Sequence, residues 1–387
     1  MAARPECRNL ASYPALNKDM DLQNSSYRVF AVGALLAGVV LLSVACNKHS
    51  AASASASRTY RMGFALSAPQ PNINEIIQSL DIWTAHADAA IISTEVPWDS
   101  LISGENPVAY VINNYGSVVN IYRTANLKIW VYIDPENGLN RQSDSDPLVA
   151  LGKSIAQPDI QMLYRRFVVA MDSIIHPDHL GLALETNLIR YAAPDSIYQG
   201  VKQAANAAAA DVRAIDPHVP LSVSVQAEVA WGELGTSSTG YVGVATDFTD
   251  FPFLQELGIS SYPYMSFQSP ADMPLNYYSQ LVSGHPLPVF VSEGGWTSMN
   301  LPAYSIQSSP AQQQAYIRRQ AQMLSQVKGT ALFQLTFTDL SLSAWPGNDA
   351  AELSPFAFLG MVDTNFAPKP ALATWDSLRQ LPLTVGN

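Results

Sequence analysis

The chain has 387 residues, 48% of them hydrophobic and only 14% charged, and carries a net charge of −11 at pH 7. That acidic balance excludes a nucleic-acid partner, which calls for a basic stripe, and works equally against acidic polysaccharides. With two cysteines, Cys7 and Cys46, a domain starting at Cys46 has neither a disulfide framework nor a cysteine metal site.

The N-terminal part does not read as a folded domain. Residues 32–45 (VGALLAGVVLLSVA) are almost wholly apolar, too short for a comfortable span of roughly 20 residues. They have the length of a secretory signal core flanked by Arg28, and Met20 offers an alternative start. A small residue before Cys46 resembles the lipobox of bacterial lipoproteins, with Ser43 where that pattern prefers Leu. The resemblance implies lipidation of Cys46 and a membrane anchor in the cell envelope; an uncleaved anchor or a signal cut nearby are the alternatives. Residues 1–46 are thus an expected export segment and 47–58 a small polar tether.

From residue 59 to 387, short apolar runs alternate with helix-period segments. The pattern predicts strands at 60–65, 89–94, 127–133, 180–184, 221–225, 257–261, 288–292 and 331–337. The helices that follow them fall at 73–83, 109–124, 160–175, 196–215, a weaker one at 251–256, then 271–283, 311–328 and 371–379. Nearly continuous apolar strands separated by helices indicate a parallel sheet covered on its outer face, and eight units close a single (β/α)8 barrel. An open doubly wound sheet is disfavoured because no G-x-G-x-x-G or Walker loop follows the first strand. The connections 134–158 and 338–368 are long enough to build a cleft.

In such a barrel, functional side chains come from the C-terminal strand ends. There lie Glu95, Asp134, Glu185, Gln226, Glu228, Tyr262, Glu293 and Asp339. The histidines His86, His176, His179, His218 and His285 fall before strands, so the HPDH segment reads as a surface turn. Zinc and histidine chemistry are disfavoured, and neither a metal nor an organic cofactor is expected. Glu185 ends one apolar run (GLALE) and Glu293 another (VFVSE), on strands that face each other across the barrel. Two carboxyls over one glycosidic bond supply an acid and a nucleophile, and Gly294 and Gly295 would let the backbone approach a sugar ring. For either glutamate alone, a solvated strand end is the plain alternative. Trp98, Trp231, Trp296 and Trp345, with Tyr262, Tyr264 and Phe267, follow strands on the same face and would stack on sugar rings; rim packing is the alternative for about half of them.

The segments LALETN around Glu185, GISSYPY around Tyr262, FVSEGGW around Glu293 and the ending GMVDTNFAPKPAL resemble clan A glycoside hydrolases, in layout closest to the endo-β-1,4-galactanases. The resemblance implies Glu185 as acid/base, Glu293 as nucleophile and Tyr262 hydrogen-bonded to it; for the acid/base role Glu185 should carry a raised pKa, with which its apolar strand setting is compatible. Two departures stand out: Leu184 occupies the place of the clan's Asn, for which Asn187 is the nearest substitute, and no arginine supports the nucleophile from strand two. The expected activity is retaining hydrolysis of a β-linked glycan by a monomer. Glu95, Asp134, Asn187, Gln226, Asp339, Trp98, Trp231, Tyr264, Trp296 and Trp345 are expected substrate contacts. A glycan-binding protein without turnover and a transglycosylase are the rival readings.

Overall fold

The computed structural model describes residues 57–234, 240–345 and 349–384. The expected export segment, with Cys46, and nearly all of the tether lie outside the described residues. Eight parallel strands close a barrel in chain order: β1 (Arg61–Ala65), β2 (Ala89–Glu95), β3 (Lys128–Asp134), β4 (His179–Gly181), β5 (Leu221–Gln226), β6 (Glu256–Ser261), β7 (Val289–Gly294) and β8 (Gly329–Gln334). Pairing of Arg61 with Ala331 and of Phe64 with Gln334 shuts the ring.

Alternation along the strands divides the core in two. One parity points inward, where Trp130, Tyr132, Phe290 and Phe333 fill the barrel with Ala65, Ala89, Ile91, Leu184 and Ala331. Leu184 is therefore part of the interior packing. Large rings demand small partners: a Cβ at Gly181 would meet the Tyr132 ring at 2.3 Å. The other parity, including Ile129, Val131, Val223, Leu257 and Ile259, packs under the helices. Each such aliphatic side chain contributes about 1.5–3 kcal/mol by leaving water.

The helices start where local chemistry dictates. Asn72 accepts the Glu75 amide ahead of the helix Ile73–Trp83. Asn106 and Ser309 cap Pro107–Thr124 and Pro310–Leu324, each with proline in the first turn, where its missing N–H costs nothing. Among the described residues no helix is long and apolar enough to cross a membrane.

Four local expectations are corrected. The β4 ladder covers only His179–Gly181; the chain stays beside β5 through the Leu182 amide on the Ser222 carbonyl (2.9 Å) and the Ser224 amide on the Ala183 carbonyl (3.0 Å). The helix expected at 251–256 lies instead at Ala245–Asp250, before β6, because Phe251 precedes Pro252 and is steered out of the helical region. No helix spans 271–283: a 3-10 turn, Pro270–Asp272, is followed by turns, since Pro274 withholds an amide and blocks helix propagation. Finally, His179 is not on a surface turn. It opens β4, stacks on Trp130 with ring centroids 3.9 Å apart, and bonds Glu256 at 2.9 Å.

Candidate active site

Glu185 ends the β4 run in an unusual conformation. Its φ of 49° and ψ of 46° place it in the left-handed region, which costs a non-glycine residue of order 1 kcal/mol or more and calls for surroundings that enforce it. Those surroundings are present. The Ser224 hydroxyl accepts its amide at 2.9 Å, and the helix Thr186–Ala192 starts at once behind it. That helix is pinned by Thr186 on Asp247 (2.7 Å) and by the Arg190–Asp247 ion pair (2.9 Å).

Across the mouth, β7 delivers Glu293. A shift in register between Ile259 and Ser260 on β6 sets Ser260 opposite Glu293. The Ser260 hydroxyl lies 2.6 Å from Glu185 Oε1 and 2.9 Å from Glu293 Oε1. Two bonds to a single oxygen cap the separation of those two carboxyl oxygens at about 5.5 Å.

Both carboxyls are closed off, Glu185 0% and Glu293 3% exposed. Burial raises both pKa values above the usual carboxylate range. Glu293 is pushed up to about 8, by burial first and then by the charge of Glu185. On Glu185 the guanidinium of Arg141 opposes the shift most strongly, followed by the Ser260 hydrogen bond. The raised pKa is thus not confined to Glu185, as the sequence reading had it; the two groups titrate as a pair.

Arg141 comes from the long loop after β3 and is fully buried. Its Nη1 donates to Asp134 at 2.6 Å and its Nε to Glu185 Oε2 at 3.1 Å. Arg141 thus supplies a buried cation from the loop after β3, bonded to Glu185. Asp134 also accepts the Glu136 amide at 3.1 Å. Glu95, paired with Asp134 across the β2–β3 ladder, accepts the Gly138 amide at 2.7 Å and is raised by burial to about 7. Both expected contacts therefore hold the loop that carries Arg141. Glu136 in the same loop is buried, and burial lifts its pKa well above normal.

A second carboxylate cluster stands beside the first. Glu228, 0% exposed, accepts from the Ser261 hydroxyl (3.0 Å), the Tyr262 amide (3.1 Å), the Tyr277 hydroxyl (3.2 Å) and the Gln226 side chain. Gln226 in turn caps the short helix Ala227–Ala230. The Asn187 amide group is engaged at both ends by the Gln226 backbone, at 2.9 and 2.7 Å. Tyr262 is fully buried, its ring edge-on to Phe356 and Tyr264.

The aromatic residues divide. Trp98 and Trp296 are 1% exposed, their indole N–H groups bonded to the Pro135 carbonyl and the Ser308 hydroxyl, and the Tyr264 hydroxyl donates to the Pro355 carbonyl. Trp231 and Trp345 remain half-buried; Trp231 stacks on Tyr277 with planes 8° apart. Asp339 is held by Lys369 at 2.5 Å and by the Gly360 amide. The glycine pair after Glu293 serves the fold: a Cβ on Gly294 would lie 2.4 Å from the Ser261 carbonyl oxygen, and one on Gly295 would press on Leu359.

The sequence reading missed Ser260 and Arg141. Ser260 carried a signal, a small polar residue at the inward parity of an apolar strand. Arg141 carried none beyond being a cation in a long loop.

No protein-family model matches the chain, and no curated protein does. Solved structures do, with 481 chains matching. An exo-β-1,4-mannosidase from Opitutaceae bacterium strain TAV5 is 13% identical with a TM-score of 0.60, the match covering 84% of this chain and 60% of that one. A family 39 glycoside hydrolase from Bacteroides cellulosilyticus is 16% identical with a TM-score of 0.56 over 84% of this chain and 64% of its own. Xylanase 10B from Thermotoga maritima is 11% identical with a TM-score of 0.55, covering 83% and 95%. The chain therefore spans less than two thirds of the length of the first two. At these identities the likeness is one of fold, and the fold it identifies is the (β/α)8 barrel on which these glycoside hydrolases are built.

Proposed function

We propose that the protein is a retaining glycoside hydrolase acting on a neutral β-linked glycan, with Glu185 and Glu293 as its catalytic pair. The observation that carries this reading is the shared hydroxyl of Ser260, which keeps the facing carboxyl oxygens within about 5.5 Å and leaves no room for an intervening water of the inverting kind. Glycoside hydrolases among the structural neighbours support the same class.

In the first step Glu293, ionised, attacks the anomeric carbon while Glu185 gives its proton to the departing oxygen. In the second, Glu185 takes a proton from water, which displaces Glu293. Arg141 occupies Glu185 Oε2, so the transferable proton rides on Oε1. Arg141 is already engaged by Asp134 and Glu185, which disfavours an anionic sugar at this position. Trp231 and Trp345, the half-buried rings, are the candidate stacking surfaces. The reading includes action as a monomer, exported and anchored through a lipid on Cys46.

The test is a screen of residues 58–387 against β-mannan, xylan, β-galactan and β-glucans, with the anomer released first read by proton NMR. The expected result is a β product from a β substrate. First release of the α anomer, or tight glycan binding without any product, would overturn the assignment.

A further inference from the structure

The Ser260 hydroxyl has one hydrogen and touches two carboxyls, and that mismatch has a chemical consequence. When the hydroxyl donates to one carboxylate, its contact with the other is favourable only if that second group is a protonated acid donating to Oγ. A chain of acid, hydroxyl and carboxylate satisfies every atom when the pair holds a single proton. With two protons the hydroxyl can donate only to a neutral acid carbonyl, a weaker acceptor than a carboxylate; with none, the hydroxyl serves one anion and faces the other without a proton between them.

We propose that Ser260 is a proton bridge that holds Glu185 and Glu293 in their singly protonated state and lets the proton pass between them. The proposal rests on the reading of these two residues as the catalytic pair. Arg141 beside Glu185 Oε2 favours the ionised form of Glu185 at rest, which leaves the proton on Glu293. The reactive arrangement is the opposite one. The bridge connects them: the Glu293 O–H bond breaks as a bond forms to Ser260 Oγ, while the original Oγ–H bond breaks and its hydrogen passes to Glu185 Oε1. One proton moves in net terms, Ser260 is unchanged, and both carboxyls emerge in the states that attack and protonation need. Strand β3 contributes the other titratable groups around the pair: Asp134, Tyr132, whose hydroxyl feels the charge of Glu293, and Arg141 from the loop that follows. The charge of β6 itself, Glu256, lies at the far end of the strand on His179, and Glu228 is turned to Ser261. None of these can substitute for a hydroxyl bonded to both carboxyls.

The consequence is specific. A bridge that favours the singly protonated pair lowers the first pKa of the pair and raises the second, widening the pH range over which the enzyme is competent. S260A should narrow the bell-shaped kcat/KM profile from both sides, by about one pH unit per limb, the range expected for a hydrogen bond to a charged group. S260T should restore the width. Glutamate labelled with carboxyl 13C, assigned with E185Q and E293Q, reads the same two pKa values by NMR without any substrate. If no glycan is turned over, the hydrolase reading fails alone and the NMR titration still decides the bridge. S260C, close in volume to serine and much weaker as a hydrogen-bonding group, gives the same readout should S260A not fold. Two pKa values that approach each other in S260A support the bridge; unchanged values, or a shift of both in one direction, overturn it.

Discussion

Glu228, in the short helix after β5, and the Glu185–Glu293 pair, from the ends of β4 and β7, are all shut away from solvent, and burial lifts Glu228 to about 7 and Glu293 to about 8. What separates them is the supply of donors. Glu228 has a donor of its own at every turn: Ser261, the Tyr262 amide, Tyr277 and Gln226. It joins β5, β6 and, through Tyr277, the turns that follow β6, and these bonds fit a structural anchor. Glu185 and Glu293 instead lean on the same hydroxyl, and a buried pair sharing one hydroxyl is poised to exchange a proton. Perturbed titration alone would not tell anchor from chemistry; the division proposed between them rests on the hydrogen-bond geometry.

Four expectations test that contrast, from the largest effect downward. E185Q or E293Q should lower kcat by about 10³-fold, the middle of the range for losing a positioned acid or base, while E228Q leaves kcat within about threefold in steady-state assays. Comparable losses in all three would erase the distinction. Removing Arg141 as R141A leaves Asp134 buried without its cation and should cost about 3 kcal/mol in urea denaturation. E228A strands the Ser261, Tyr262 and Tyr277 donors and should cost about 2 kcal/mol by the same measurement, whereas E293Q should be neutral or stabilising. The smallest effect is on pH. Glu293 has a folded pKa raised above its unfolded value, so its contribution to stability is complete below about pH 4.5 and is lost as pH rises towards 8. Thermal midpoints should fall over that interval, and E293Q should flatten the fall; an identical slope in the variant would remove Glu293 as its source.

Much of the fold was legible because eight apolar runs each need a helix to cover them, and the strands appear within a few residues of their expected places. The exceptions are local. Pro274 and Pro252 outweigh the apolar periodicity around them, and β4 leaves its ladder early so that Glu185 can turn into the left-handed region. The two carboxylates were legible because a charge closing an apolar strand has one plausible direction to point. Ser260 and Arg141 were harder for different reasons. Ser260 lies inside its strand, one step before the end from which functional groups usually project. Arg141 meets Glu185 across 44 residues of sequence, a contact set by the path of a loop that has no periodicity. The tryptophans illustrate the converse: position after a strand placed four of them on one face, but packing buried Trp98 and Trp296 and left Trp231 and Trp345 available.

Azide rescue reaches the central claim most directly. With a β-linked aryl glycoside as substrate, E293A supplied with azide should recover turnover and release the α-glycosyl azide, while E185A should give the β-glycosyl azide through an intact nucleophile. An α-azide from E185A, or an E293A variant as active as the parent without azide, would contradict the account.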